Sequence, residues 1–217
     1  MAMSGAAARL FVIAAPSGAG KTTLVKALTT RHPELRFSIS YTTRKQRRNE
    51  AHGVDYLFVD ADEFERLRAR GALLESAEVF DNLYGTSRSQ VQRHLDAGNP
   101  VILEIDWQGA AQVRASMPEC VTVFVLPPSV EELEHRLRNR RTDTDAVIER
   151  RLQDALSDMS HWEEFDHVIV NDHLEQAVAD LESVLAGKGA NSAVSNPRVR
   201  AAVGRILDRP DEGETGG

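Results

Sequence analysis

Residues 10–28, LFVIAAPSGAGKTTLVKAL, pass from an apolar run through a glycine-rich turn straight into an amphipathic stretch. An unbroken apolar run of this kind reads as a strand covered on both faces, and such strands belong to parallel sheets flanked by helices. The pattern recurs. Apolar runs at 10–15, 101–106, 121–126 and 167–170 are separated by stretches of helical spacing at 21–31, 88–97, 129–139, 145–163 and 174–186. This alternation predicts βαβ units, an α/β fold with a mainly parallel sheet, and a ligand site at the carboxyl ends of the strands. At 217 residues the chain suffices for one such domain with small subdomains.

Two segments break the alternation. Residues 36–87 mix short alternating strands, an arginine-rich loop and one helix over 61–70, which reads as an inserted, partly antiparallel subdomain. Residues 138–146, RNRRTDTDA, join two helices as a polar flap. Residues 1–8 read as an N-terminal extension. From 187 to 217 small and polar residues dominate, so this tail is expected to be mostly disordered, with one short helix at RVRAAVGRIL.

Composition narrows the function. A net charge of −7 argues against a general nucleic-acid binder. No apolar run approaches the ~20 residues that span a bilayer, and the apolar start leads into the glycine loop rather than a cleavage site. One cysteine, Cys120, excludes an intramolecular disulfide framework and points to a reducing cytoplasm; within CVTVFVL it reads as a buried strand residue. The basic clusters 44–48 and 136–141 are by default solvated faces. No His, Cys and Asp grouping has metal-ligand spacing.

The loop AAPSGAGKTT matches the phosphate-binding pattern G-x-x-x-x-G-K-[ST] except at Ala15, where the first glycine would stand. Gly18 and Gly20 let the backbone turn several N–H groups onto one anion, and the helix beginning there adds its positive end. Lys21 then reaches the β- and γ-phosphates, and the Thr22 hydroxyl ligates Mg²⁺. Alanine tolerates most conformations with negative φ, so Ala15 is harmless if the turn needs no positive φ there. The candidate nucleotide-phosphate site is thus Ala15, Pro16, Ser17, Gly18, Ala19, Gly20, Lys21, Thr22 and Thr23. A phosphate loop alone does not separate a hydrolase from a kinase.

The motifs APSGAGKTT, SYTTRKQRRNEAHGVDY, LLESAEVFDNLYGTS, LEIDWQG, LPPS, RLRNRRTD and VND follow one another in this order. In these the chain resembles the guanylate kinase family, of bacterial type, over residues 9–186. The resemblance implies a P-loop nucleoside monophosphate kinase fold, with a GMP-binding insert at about 36–87 and a lid at about 137–152. The implied reaction is ATP + GMP giving ADP + GDP.

It further implies a clamp on the GMP phosphate by Ser40, Arg44, Arg47, Tyr56 and Tyr84. Planar guanidinium groups and hydroxyl donors suit a dianion. Glu75 and Thr86 are assigned to guanine, with Asp106 near its amine edge. One carboxylate accepts from N1–H and the N2 amine, and a hydroxyl donates to O6. Adenine would turn an unprotonated N1 toward that carboxylate and be rejected. Arg140 and Arg151 match the paired lid arginines that, with Lys21 and Arg44, neutralise the transferred group. Asn171 is placed against the adenine of ATP; its residue type alone equally suits a helix cap.

Three positions depart from the family pattern. Glu104 replaces an aspartate and keeps a carboxylate for orienting arginines or metal waters. Arg141 replaces a glycine, which either stiffens the lid or adds a surface charge. Leu83 replaces a tyrosine and is read as packing. Lys45, Arg48, Arg136 and Arg138 are read as solvated. Two rival readings are a kinase of the same scaffold acting on a ribose phosphate and a non-catalytic module that holds phosphopeptides. Monomer or homo-oligomer, and activity on dGMP, do not follow from the sequence.

Overall fold

The computed structural model describes residues 9–79, 81–139 and 145–208. In chain order the strands are β1 (Leu10–Ala14), β2 (Arg36–Phe37), β3 (Ser40–Thr42), β4 (Leu57–Phe58), β5 (Leu73–Val79), β6 (Asn82–Ser87), β7 (Val101–Glu104), β8 (Val121–Leu126) and β9 (His167–Val170). The helices are α1 (Lys21–Arg31), α2 (Ala61–Ala69), α3 (Arg88–Asp96), α4 (Trp107–Ser116), α5 (Val130–Arg138), α6 (Asp145–Met159), α7 (Leu174–Leu185) and α8 (Pro197–Leu207). The result is an α/β fold with a mostly parallel sheet flanked by helices. Contacts divide it into two units. One holds the described residues up to Ile13 together with Thr29–Thr122; the other holds Ala14–Leu28 and the described residues from Val123 onward.

In the first unit β2, β7 and β1 run parallel, with Arg36 and Leu10 both opposite Val101. Every residue of β1 is buried, as its unbroken apolar run requires. The insert forms a second sheet of order β4-β3-β6-β5. Its own core is Phe64, Leu67 and Leu73, against which Tyr41, Val59 and Leu83 pack, so Leu83 fills the packing role expected of it. Helix α2 starts where Asp60 accepts from the Glu63 amide at 2.7 Å. Asp62 and Glu63 in its first turn and Arg66 and Arg68 in its last complement the helix dipole.

In the second unit β8 and β9 pair in parallel, Val123 opposite His167. The expected helix over 145–163 divides into α6 and a 3₁₀ turn, Ser160–Glu164. Helix α4 is not visible in the apolar spacing, because the residues it buries are Gly109, Ala110 and Val113, two of them too small to mark a stripe. It begins where Asp106 caps it, which is why the strand expected over 101–106 stops at Glu104.

Helix α8 stands where RVRAAVGRIL was expected to form one, but order extends through the rest of the tail up to residue 208. A 3₁₀ turn at Gly189–Ser192 leads to α8, capped by Asn196 and entered through Pro197. Val194 donates its amide to the Asp166 carbonyl at 3.0 Å. Arg200 pairs with Glu163 at 2.5 Å and lies 5.3 Å over the Trp162 ring, while Val203 and Ile206 are buried. Composition suggested disorder; long-range partners supply the order, and composition does not display those. Among the described residues no helix is long and apolar enough to cross a membrane.

Candidate functional site

The glycine loop lies in the second unit. Gly18 and Gly20 take φ of 92° and 88°, while outside glycine the positive φ among described residues is at Asp81. Ala15 therefore sits in ordinary backbone, and its methyl group does not obstruct the turn. The Ala19 amide closes onto the Pro16 carbonyl at 3.2 Å, and the Gly20 carbonyl accepts from Leu24 as α1 begins. The Ala19 carbonyl accepts from Asn171 Nδ2 at 2.8 Å and from Arg136 Nη1 at 3.4 Å. A trans peptide places C=O and N–H on opposite sides, so the following Gly20 N–H points away from this anchor.

Asn171 is buried, and the N-cap of α7 is His173 rather than Asn171. Its side chain thus fastens the loop to the end of β9 and does not cap the next helix. Arg136, read from sequence as solvated, belongs to the same anchor. Its Nη2 donates to the Asn171 carbonyl at 3.2 Å and its Nε to Glu132 at 2.8 Å. Arg138 is exposed and pairs with Glu134 and Asp145. Leu133 and Leu137 of α5 press on the loop, where a Cβ at Gly18 would come within 2.9 Å of Leu133.

Lys21 opens α1 half-buried, and Ser17, Thr22 and Thr23 are exposed around it. Pro16, Gly18 and Ala19 are buried, with Ala15 and Gly20 half-buried between them. Arg151 lies half-buried on α6. Arg140 and Arg141 lie outside the described residues.

Gly20 offers a direct test of the loop. A Cβ there would stand 2.5 Å from Asn171 Nδ2 on a backbone that side chains rarely adopt. Gly20→Ala should therefore break the Asn171 anchor and weaken the ATP binding expected from the sequence at least about tenfold at equilibrium. Unchanged affinity would show that the loop's shape does not matter to the nucleotide.

The insert, in the first unit, brings the acceptor candidates together. Cross-strand register sets Ser40 opposite Thr86, and Thr86 opposite Glu75, in one row across β3, β6 and β5. Tyr84, two residues along β6, shares that face. The register slips between Leu73 and Glu75, and this bulge puts Glu75 rather than Leu74 beside Thr86. Glu75 and Thr86 are buried, and the Thr86 hydroxyl donates to Glu75 Oε1 at 2.6 Å. Burial pushes the Glu75 carboxyl from its ordinary 4.5 up to about 7, helped by the charge of Asp106 and opposed by the Thr86 hydrogen bond. Asp106 itself caps α4, its Oδ1 accepting from Gly109 N at 2.7 Å.

Arg44 stands beside this row. It makes a two-pronged pair with Glu50 at 2.8 and 3.1 Å and lies 5.3 Å over the Tyr56 ring. Tyr56 in turn meets the edge of Tyr84, with ring centres 6.0 Å apart. Burial raises the Tyr56 phenol above its usual range, with smaller contributions from Tyr84 and the nearby Glu104. Glu50 and Tyr84 hold the Arg44 guanidinium in its charged form. Arg47 is exposed and meets the cluster through its backbone amide, which donates to Glu50 at 2.9 Å.

Glu50 escaped the sequence reading. The signal for it was present: one acid in the polar loop 44–50 among four basic residues. Arg136 escaped because nothing local marks an arginine whose acceptors lie 117 and 35 residues away.

Comparisons with known proteins agree with this geometry. The family model described as guanylate kinase matches residues 7–188. A guanylate kinase of Methylococcus capsulatus is 50% identical over 198 residues, covering 91% of this chain and 97% of that protein. One of Alkalilimnicola ehrlichii is 55% identical over 175 residues, covering 81% and 86%. The crystal structure of guanylate kinase from Anaplasma phagocytophilum superposes with a TM-score of 0.69 at 32% identity, covering 96% of this chain and 100% of that one. A glycine loop opening a helix, a separate sheet with a buried carboxylate, and these matches along nearly the whole chain place it in the guanylate kinase family.

Proposed function

We propose that this protein is a guanylate kinase that transfers the γ-phosphoryl group of ATP to GMP, giving ADP and GDP. The observation that carries the reading is the row Ser40, Thr86 and Glu75 beside the Arg44, Tyr56 and Tyr84 cluster. That row offers the buried Glu75 carboxylate and the Thr86 hydroxyl for a base, and Ser40 with the cluster offers a hydroxyl, a cation and phenols for a phosphate. Glu75 accepts from N1–H and the N2 amine, Thr86 redirects its hydroxyl to O6, and Asp106 flanks the amine edge. Ser40, Arg44, Arg47, Tyr56 and Tyr84 hold the GMP phosphate, with Glu104 orienting this group.

The nucleotide donor lies on the glycine loop, residues 15–23, with Asn171 near the adenine. Phosphoryl transfer asks for in-line positioning and charge neutralisation more than covalent chemistry. Lys21 neutralises the β- and γ-phosphates, and Arg140 and Arg151 are the lid arginines of the proposal. An oxygen-ligated Mg²⁺ fits the donors here, the Thr22 hydroxyl in the first turn of α1 plus nucleotide phosphate oxygens. When bound it withdraws charge from those oxygens. The compartment proposed is the cytoplasm, supported by the single buried Cys120.

A substrate panel tests the reading: ADP release with ATP fixed and GMP, AMP, CMP, UMP or a ribose phosphate as acceptor. GMP should exceed AMP in kcat/KM by at least about a thousandfold, since a site built to pair base donors strands its own polar groups otherwise. Equal use of AMP would refute the base assignment. Preference for the ribose phosphate would favour the related sugar kinase, and GMP binding without ADP release the non-catalytic module.

A further inference from the structure

We propose that Gln112 is a positioning residue for base recognition: by clamping the outer edge of β5 at Ser76, it holds the neighbouring Glu75 carboxylate where one base can donate to it twice. The proposal rests on Glu75 being the guanine reader.

Strand β5 is an edge strand of the insert's sheet, and an edge strand presents backbone groups that no further strand pairs. At Ser76 one side chain takes both. Ser76 N donates to Gln112 Oε1 at 3.0 Å, and Gln112 Nε2 donates to the Ser76 carbonyl at 3.0 Å. The amide of Gln112 thus serves as an extra rung of the sheet, joining α4 to β5 across 36 residues of sequence. An amide carries an acceptor and a donor together, which a carboxylate or an ammonium does not.

The place of this clamp gives it meaning. The bulge between Leu73 and Glu75 interrupts the β5–β6 ladder immediately before the carboxylate; pairing resumes at Glu75, and the clamp grips the other edge of β5 one residue later. One turn earlier on α4, Gly109 lies on the same helix face as Gln112. A Cβ at Gly109 would stand 3.2 Å from Glu75 Oε2 and 3.2 Å from Asp106 Oδ1. The face of α4 that grips Ser76 is therefore also the wall on which the carboxylate rests. Released from Gln112, β5 can pivot at the bulge, and a tilted carboxylate reaches one base donor at the expense of the other. Gln112 is itself exposed, so it has no share in a core that its loss would collapse.

The test compares kcat/KM for GMP and IMP in the full-length wild type, Gln112→Ala, Gln112→Met, Glu75→Gln and the Gln112→Ala/Glu75→Gln double variant. IMP keeps N1–H and O6 but lacks the amine. Met keeps the length of Gln112 and removes both hydrogen bonds. Each Gln112 variant should reduce the preference for GMP over IMP about tenfold, with KM for ATP within about twofold of wild type. In the double variant Gln112→Ala should cause no further loss beyond Glu75→Gln, because no carboxylate remains to be positioned. An intact preference in both Gln112 variants, with collapse in Glu75→Gln, overturns the role of Gln112 and leaves the guanine reader standing. An intact preference in Glu75→Gln overturns the reader and the proposal with it. Additive losses in the double variant, or KM for ATP rising in step with KM for GMP, show a general structural role and also overturn the proposal.

Discussion

Lys21→Ala is expected to lower kcat by about a hundred- to a thousandfold, the usual cost of removing one preorganised charge from a developing anion. The geometry explains why one side chain matters so much. Lys21 is the first residue of α1 and directly follows Gly20, whose positive φ turns the loop. In the proposed reading the ammonium works at the positive end of the helix, where the phosphates of ATP converge. The loop's backbone N–H groups survive the substitution, so ATP binding should fall much less than turnover. This split between KM and kcat is the informative part of the measurement. Steady-state kinetics with both nucleotides saturating, beside a thermal melt to confirm folding, would settle it. Near-normal turnover in a folded Lys21→Ala protein would falsify the account of the loop.

Glu75→Gln should reduce kcat/KM for GMP by about a thousandfold and narrow the gap between GMP and AMP, because an amide cannot accept from both guanine donors. The same variant makes an opposite prediction for stability. The folded protein holds the Glu75 proton up to about pH 7, against an ordinary value of 4.5. A carboxyl whose folded pKa is raised contributes fully below its unfolded value and loses that contribution as pH climbs through the folded one. Between pH 4.5 and pH 7 the loss amounts to about 3 kcal/mol, and above pH 7 it is complete.

A neutral glutamine escapes this loss. The melting temperature of Glu75→Gln relative to wild type should therefore rise between pH 4.5 and pH 8, by roughly 6–12 °C for a domain of this size. A difference that stays flat across that range would mean Glu75 is not desolvated. The wild-type KM for GMP should likewise fall as pH rises toward 7, since guanine needs the ionised acceptor. The variant should lack that component, which separates it from ionisation of the GMP phosphate itself.

Much of the fold was legible because its signals are local. An unbroken apolar run such as LFVIA marks a doubly covered strand wherever it stands, and β1, β8 and β9 lie where their runs predict. Helix α4 was not legible, because its buried face is Gly109, Ala110 and Val113 and its start is set by the Asp106 cap. The tail misled for a related reason. Its composition is that of a solvated segment, yet Arg200 finds Glu163 and Trp162, partners that only a folded chain presents.

By itself, the sequence determined the residue types of both proposed nucleotide sites: glycines that accept positive φ, a lysine opening a helix, arginines and tyrosines in one loop, a glutamate and a threonine eleven positions apart. Tertiary structure decided their working states. Ala15 keeps ordinary backbone because the turn places positive φ at Gly18 and Gly20 instead. Arg44 is preset by Glu50, and the loop is anchored by Asn171 and Arg136. Glu75 faces Thr86 because a bulge moves it one place along the strand, and it titrates near neutrality because folding strips its water. Hydrogen-bond partners tens of residues apart and the loss of solvent come from packing, and no local pattern encodes them.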